Sequence, residues 1–233
     1  EIKSWETLIV GDNLTWEQFS RINNQLYDLN GVKPIISISR NYPYKENYTH
    51  ILGYVSQANE KDILSNEIIK DKFVQGLKVG KIGLEKSFEN NLIGDNAIER
   101  YEVNAYGRRV SQLAFRNGDK GKTIKLTIDT EVQIFANQLL AEKAGSICVM
   151  DIFTGHLIAM HSSPSFDPNA FVFGISQDDW QLIRNNPMKP LVNKTLSGNY
   201  SPGSTIKPIV ALSALENKIV STKFTVNCKG HKN

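Results

Sequence analysis

The chain has 233 residues, of which 40% are hydrophobic and 22% charged, and its formal net charge is +3. These values are typical of a globular protein, and they exclude a disordered chain and a strongly basic nucleic-acid-binding one. Its apolar runs are far shorter than the ~20 residues of a membrane-spanning helix, and no signal-peptide pattern opens the chain. We therefore expect a soluble chain, or the soluble part of an anchored protein, with one domain plus a smaller or partial second one.

Short mixed elements are predicted in the first half of the chain. Thr15 and Gln18 form a capping box before a helix at 16–29, whose apolar residues recur at helical spacing. "PIISISRNY", residues 34–42, alternates apolar and polar positions, which favours a half-buried strand. "THILGYVSQ", residues 49–57, is compatible with a helix or with a strand.

A helix and a hairpin complete this half. "GKIGLEKSFENNLIGD", residues 80–95, has glycines at both ends of a helix-like run. Residues 98–122 predict a β-hairpin that turns around Ala105 to Arg108 and ends in a Gly-rich polar connector. We expect an α+β module without an active site, whose charged side chains lie on solvated faces.

A second domain is predicted to begin at 117–122. "TIKLTI", residues 123–128, predicts a strand, and Asp129 or Thr130 would cap the helix that follows it. The apolar stripe of this helix consists of Val132, Phe135, Ala136, Leu139 and Leu140.

Two apolar strands follow in "SICVMDIFTGHLIAMHS", residues 146–162, joined by a tight turn that has Gly155 where φ must be positive. Cys148 lies in the first of these runs, and we expect it to be buried. Residues 163–176 are loop-like, and a helix around "QDDWQLIRN" is predicted to end before Pro187.

"NYSPGSTIKPIVALSALE", residues 199–216, places Ser204 three residues before Lys207 at the start of an apolar helical run. A serine needs an adjacent base to act as a nucleophile, and a lysine near neutrality needs its pKa lowered by roughly three units, about 4 kcal/mol. The free backbone N–H groups at the helix start favour an oxyanion. An apolar surface that excludes water would lower the lysine pKa, and we expect it to consist of Ile206, Ile209, Val210, Leu212 and Leu215.

A plainer interpretation of the same spacing stays open. A chain with this many serines and lysines contains a Ser-x-x-Lys spacing about once by accident. A surface helix that begins with a serine cap and carries an exposed lysine has the same pattern.

Longer segments carry a family resemblance. "YSPGSTIKP", "PLVNKTLSGN", "SSPSFDPNAF", "GISQDDWQLI" and "MDIFTGHLIAM", with "GKIGLEKSFENNLIGD", "RYEVNAYGRRV" and "THILGYVSQ" upstream, resemble the class B penicillin-binding proteins in order and spacing. The resemblance implies an α+β fold: a non-catalytic, pedestal or dimerisation-type module at 1–118, then the first part of a transpeptidase domain at 119–233. That domain is β-lactamase-like, with helices on an antiparallel sheet. Ser201 and the segment ending at Trp180 are similar to the elongation-type group, penicillin-binding protein 2, rather than to the septal type.

The resemblance implies a D,D-transpeptidase that cross-links peptidoglycan stem peptides ending in D-Ala-D-Ala and is a target of β-lactam antibiotics. Ser204 would be the acylated nucleophile, with its N–H in the oxyanion hole, and Lys207 the general base. No metal or organic cofactor and no nucleic acid is implied. The parent protein would be anchored in the bacterial inner membrane, with this part in the periplasm, beside a membrane glycan polymerase and scaffold proteins of the elongation complex.

The family site also needs an SxN loop and a KTG or KSG strand, and neither follows Ser204 within the remaining 233 − 204 = 29 residues. "SGN" at Ser197 precedes the nucleophile and is interpreted as loop, and Lys229 and His231 lack the hydroxyl residue and apolar strand of a KTG match. We expect a truncated chain that is not catalytically competent alone. A serine β-lactamase or β-lactam sensor, and a non-catalytic scaffold of the cell-wall complex, are the alternatives.

Overall fold

The computed structural model describes residues 8–35, 37–105, 109–141, 143–227 and 230. The helices are α1 Trp16–Asn24, α2 Thr49–Leu52, α3 Glu60–Ser65, α4 Glu67–Asp71, α5 Gly83–Ser87, α6 Glu89–Leu92, α7 Thr130–Leu139, α8 Asn169–Val172, α9 Gln177–Asn185, α10 Lys194–Ser197 and α11 Lys207–Glu216, with 3₁₀ turns at Lys45–Asn47 and Gly203–Ile206. The strands form antiparallel pairs, β1 Val55–Gln57 with β2 Lys78–Gly80, β3 Ile98–Val103 with β4 Arg109–Arg116, and β5 Gly145–Met150 with β6 Leu157–Ser163. One compact unit extends to Ser197, and a second begins at Gly198. In the ranges given, no helix has the length and apolarity needed to cross a bilayer.

Helix α1 begins where the sequence predicts and ends earlier. Thr15 and Gln18 form both hydrogen bonds of the capping box, but the helix ends at Asn24 and residues 25–29 form turns. No residue of α1 is buried. Because most of the stability of a short helix comes from packing, the weak helix formers Asn23 and Asn24 suffice to end it.

The strands predicted at 34–42 and 123–128 are wrong. Among the described residues of the first segment none pairs with a strand, Ile38 is 88% exposed, and Ile36 lies outside the description. The second segment runs beside β6, where the Asp129 N–H donates to Ile158 O at 2.8 Å, without a regular ladder. Alternation predicts which face a strand would bury, but a strand forms only against a partner.

The segment 49–57 contains both structures that the sequence left open, since α2 is followed by β1. Gly53 ends the helix at φ +80°, and a Cβ there would lie 1.9 Å from Ile82 O. The helix predicted at 80–95 is divided at Phe88 into α5 and α6.

Both predicted hairpins are present. β3 and β4 pair in antiparallel register, while 106–108 of their turn lie outside the described residues. β5 and β6 are joined by a turn with Gly155 at φ +72°. β5 alternates half-buried and exposed positions, and Cys148 is on the exposed face, so its expected burial is wrong. Asp129 caps α7 by accepting N–H bonds from Glu131 and Val132. Within the predicted loop at 163–176 the chain forms the short helix α8, whereas α9 forms as predicted.

The core of the first unit joins its two halves. Tyr42, Val55 and Val172 form a buried cluster, and Leu52 packs against it. An aromatic group lies beside it, in which Tyr54 stacks on Phe171 with ring centroids 4.3 Å apart. Residues of both predicted domains therefore share one core.

Two glutamates are buried, contrary to the expected solvated faces. Glu85 receives Arg40 Nε at 2.8 Å and Nη2 at 3.0 Å, and Tyr42 donates its hydroxyl to the same carboxylate at 3.1 Å. Glu89 accepts the backbone N–H of Gly80. A Cβ at Gly80 would lie 2.2 Å from the carbonyl carbon of Glu85, so glycine permits this close approach.

Candidate active site

Ser204 lies in the 3₁₀ turn directly before α11. Gly203 adopts φ +54°, in the left-handed region that glycine tolerates, and turns the chain after Pro202. Thr205 donates its N–H to Pro202 O at 3.2 Å, and its hydroxyl bonds the same oxygen. The turn therefore presents Ser204 at the start of the helical segment.

The structure places Ser204 and Lys207 one turn apart. The Lys207 N–H donates to the carbonyl oxygen of Ser204. In a 3₁₀ turn, side chains three residues apart lie in line, so the hydroxyl and the ammonium share one face. Pro208 occupies the first turn of α11, where its missing N–H leaves no helical bond unmade.

The described residues do not form the water-excluding apolar surface that was predicted around Ser204 and Lys207. The apolar side chains assigned to it are between 36% and 65% exposed, and Ser204 and Lys207 are themselves exposed. The apolar residues of α11 point in all directions around the helix, which is typical of a helix buried on every side. A helix cannot cover its own side chains, so the environment that would lower a lysine pKa has to come from other surfaces.

The other positions that the sequence analysis set aside do not add to this site. Ser197 is the last residue of α10, so the segment predicted as a loop begins with a helical residue. Lys229 and His231 lie outside the described residues. Across the described ranges, no group of three or more His, Cys, Asp or Glu side chains could hold a metal ion.

The segment before Ser204 is tied to β6. Ser162 Oγ accepts the N–H of Lys194 at 2.9 Å and donates to Val192 O at 3.3 Å. Thr195 Oγ1 donates to His161 O at 3.3 Å. Asn193 Nδ2 donates to His50 O at 3.0 Å, which connects this segment to α2.

Sequence reasoning missed the polar residues that hold the two halves of the first unit together. Gln133 is fully buried in α7, where its Nε2 donates to Asn47 O at 2.7 Å and Met160 O at 3.0 Å and its Oε1 accepts the Met160 N–H at 2.8 Å. Asn169 forms a reciprocal pair with the backbone of Tyr42, at 2.9 Å in both directions. The sequence does contain a sign of this burial, because Gln133 is a polar residue at an inward-facing position of the apolar helix α7.

Comparison with known families accounts for this arrangement. Residues 1–126 match the penicillin-binding protein dimerisation domain, and residues 145–233 match the penicillin-binding protein transpeptidase domain. The chain belongs to the penicillin-binding proteins. The membership predicted from the sequence, and the α+β fold that it implied, are confirmed.

Penicillin-binding proteins from several bacteria are similar to the chain over nearly its whole length. The peptidoglycan D,D-transpeptidase MrdA of Acinetobacter baumannii is 35% identical over 97% of the chain, and that of Escherichia coli K12 is 38% identical over 93%. The solved complex of penicillin-binding protein 2 with MreC from Helicobacter pylori aligns with a TM-score of 0.76 at 30% identity, over 93% of this chain and 41% of that one. The chain spans about a third of the two curated relatives, 33% and 35% of their lengths.

Proposed function

We propose that the chain is part of a serine D,D-transpeptidase that cross-links peptidoglycan stem peptides during cell-wall elongation. The observation that carries the proposal is the one-turn placement of Ser204 and Lys207 at the start of α11, within the range matched by the transpeptidase domain. The MrdA relatives are named as enzymes of this activity, which supports the same reaction here.

The proposed reaction uses these two side chains in sequence. Ser204 Oγ attacks the carbonyl carbon between the two terminal D-alanines, and Lys207 Nζ accepts its proton. The backbone N–H of Ser204, at the start of the helical segment, stabilises the oxyanion. The peptide bond breaks, the terminal D-alanine leaves with a proton, and the rest of the stem peptide remains as an ester on Ser204. An amine of a neighbouring stem peptide then attacks the ester and releases Ser204.

These 233 residues are not competent for that reaction alone. A lysine acts as a base only where its surroundings exclude water, and the described residues leave Lys207 exposed. The chain also spans only about a third of its relatives, and no SxN or KTG segment follows Ser204 in it.

The two predicted domains have different roles in this proposal. Residues 1–118 form the non-catalytic module, and 119–233 begin the transpeptidase domain. The module binds scaffold proteins and a membrane glycan polymerase, with the parent protein anchored in the inner membrane and this part in the periplasm. The solved complex of penicillin-binding protein 2 with MreC supports a scaffold partner.

Intact-mass spectrometry after incubation with a reactive penicillin tests the function. The protein expressed from its complete gene and the 233 residues alone are each compared with their Ser204→Ala variants. We expect an adduct on the first protein, its loss in Ser204→Ala, and no adduct on the 233 residues.

The same experiment separates the alternatives. An adduct that hydrolyses within seconds would indicate a β-lactamase. Absence of an adduct on the folded complete protein would favour the non-catalytic scaffold. A normal acylation rate in the 233 residues would refute the claim that they are not competent.

A further inference from the structure

Two histidines and a lysine are buried where α2 meets β6 and α10. His50 on α2 is 7% exposed, His161 on β6 is 1% exposed, and Lys194 on α10 is 8% exposed. Within the described part of the chain, neither His50 Nε2 nor His161 Nε2 has a hydrogen-bond partner. A buried polar atom without a hydrogen-bond partner is costly, so a change in the charge of its ring has a large effect on the stability of the contact.

Two ionisable side chains act on His50, and both are basic. They belong to Lys194 and His161. Lys194 Nζ donates to the carbonyl oxygen of Lys189 at 3.0 Å, which satisfies one donor without neutralising the charge. The carbonyl oxygens of Pro164 and Pro190 favour a protonated His50, but they carry no full charge.

Carboxylates in the neighbouring elements are engaged elsewhere or exposed. On α5, which packs against α2, Glu85 is paired with Arg40. On α7, which packs against β6, Glu131 is exposed. The backbone carbonyl of Asn47 and then the exposed carboxylate of Glu46, both in the 3₁₀ turn, favour the protonated form of His161, but the burial of His161 opposes them more strongly. A proton added at His50 therefore creates a buried charge beside another cation.

These environments keep both rings neutral at pH 7. Burial first, and then the charge of Lys194, lowers the pKa of His50 to about 4. Burial lowers the pKa of His161 and of Lys194 as well. Opening of the contact returns each imidazole to water, where its pKa is about 6.5.

The contact joins the two parts of the chain that match different family domains. α2 lies in the range of the dimerisation domain, and β6 and α10 lie in that of the transpeptidase domain. Asn193 Nδ2 bonds the carbonyl of His50, and Thr195 Oγ1 bonds the carbonyl of His161. The backbone of each histidine is therefore hydrogen-bonded to a side chain in α10 or directly before it.

We propose that the contact between α2, β6 and α10 is a pH-sensitive junction, closed while His50 and His161 are neutral and opened by their protonation beside Lys194. The open state binds more protons, so the stability of the closed junction is fully present above about pH 6.5 and is lost as the pH falls towards 4. With a pKa of about 4 in the closed state, His50 alone raises the opening equilibrium roughly twentyfold between pH 7 and pH 5.

Hydrogen exchange of the complete chain at pH 7 and pH 5, corrected for the intrinsic exchange rates, tests the proposal. We expect exchange in α2 and α10 to accelerate at least tenfold at pH 5, and that in the β3–β4 hairpin to stay constant. The double variant His50→Gln, His161→Gln should lose this response. His156→Gln is the matched control, because His156 is exposed in the turn of the β5–β6 hairpin, and it should respond as wild type does.

Equal protection of α2 and α10 at the two pH values would overturn the proposal, as would a pH response that persists in the double variant. If the double variant does not fold, NMR titration of the histidine ring protons in the wild-type chain decides the question. Titration of His50 and His161 near pH 6.5 in the folded chain would overturn the proposal, whereas depressed values would support it.

Discussion

The junction around α2 and the helix α11 differ in the side chains that they bury and expose. Thr49 at the junction and Gln133 on the neighbouring helix α7 are fully buried and hydrogen-bonded, and the buried His50 and His161 lie beside them. In α11, apolar side chains such as Leu212, 65% exposed, face water. The difference teaches that burial in this chain follows available contacts rather than side-chain polarity. Described residues bury the side chains of the junction, whereas they leave most of the apolar side chains of α11 exposed.

The largest expected effect is on the rate of acylation, in the exposed region around α11. Lys207 is proposed to act as the base there once other surfaces cover α11. In the protein expressed from its complete gene, Lys207→Ala should slow acylation by a fluorescent penicillin about 10²- to 10⁴-fold, because Ser204 loses its base. Lys223→Ala, which removes an exposed lysine of the same unit, should acylate at the wild-type rate. A rate for Lys207→Ala within twofold of wild type would exclude the lysine as the base.

The close approach beside the junction predicts a large loss of stability. Gly80→Ala should lower the free energy of unfolding by about 3 kcal/mol, because the new Cβ overlaps the backbone of Glu85. Gly203→Ala, with no atom within 4 Å of its Cβ, should cost only about 1 kcal/mol of left-handed strain. Urea unfolding measures both, and equal costs would contradict the contrast between the two regions.

The hydrogen bonds of Gln133 on α7 to β6 and to the 3₁₀ turn at Lys45–Asn47 predict a smaller loss. Gln133→Ala removes the side-chain hydrogen bonds to the backbone of Asn47 and Met160 and should cost about 2 kcal/mol. Gln138→Ala, at an exposed position of the same helix, should change the free energy of unfolding by less than about 0.5 kcal/mol. A loss below about 0.5 kcal/mol in Gln133→Ala would mean that water replaces its bonds.

The smallest expected effect lies on α11. Leu212→Ser should change the stability of the 233 residues by less than about 0.5 kcal/mol, since its side chain buries little apolar surface in them. Thermal unfolding provides the measurement. A loss of more than about 1.5 kcal/mol would show that the helix is covered, and the contrast with the junction would then be wrong.

Elements that depend on neighbouring residues were predictable from the sequence. The capping box of Thr15 and Gln18, the Asp129 cap and the turn at Gly155 follow from rules that act within a few residues, and all three are present. The spacing of Ser204 and Lys207 likewise placed them one turn apart. The strands expected at 34–42 and 123–128 failed because a strand needs a partner, which alternation does not identify.

By itself, the sequence determined the family, the caps, the hairpins and the position of the candidate nucleophile, because short-range hydrogen bonds and motif spacing are written into adjacent residues. Only the tertiary structure decided that Glu85, Gln133 and His50 are buried, that Cys148 is exposed, and that the apolar faces of α11 are left uncovered in the described chain. The reason is that burial and pKa depend on contacts between residues far apart in the chain, and the local pattern does not specify those contacts.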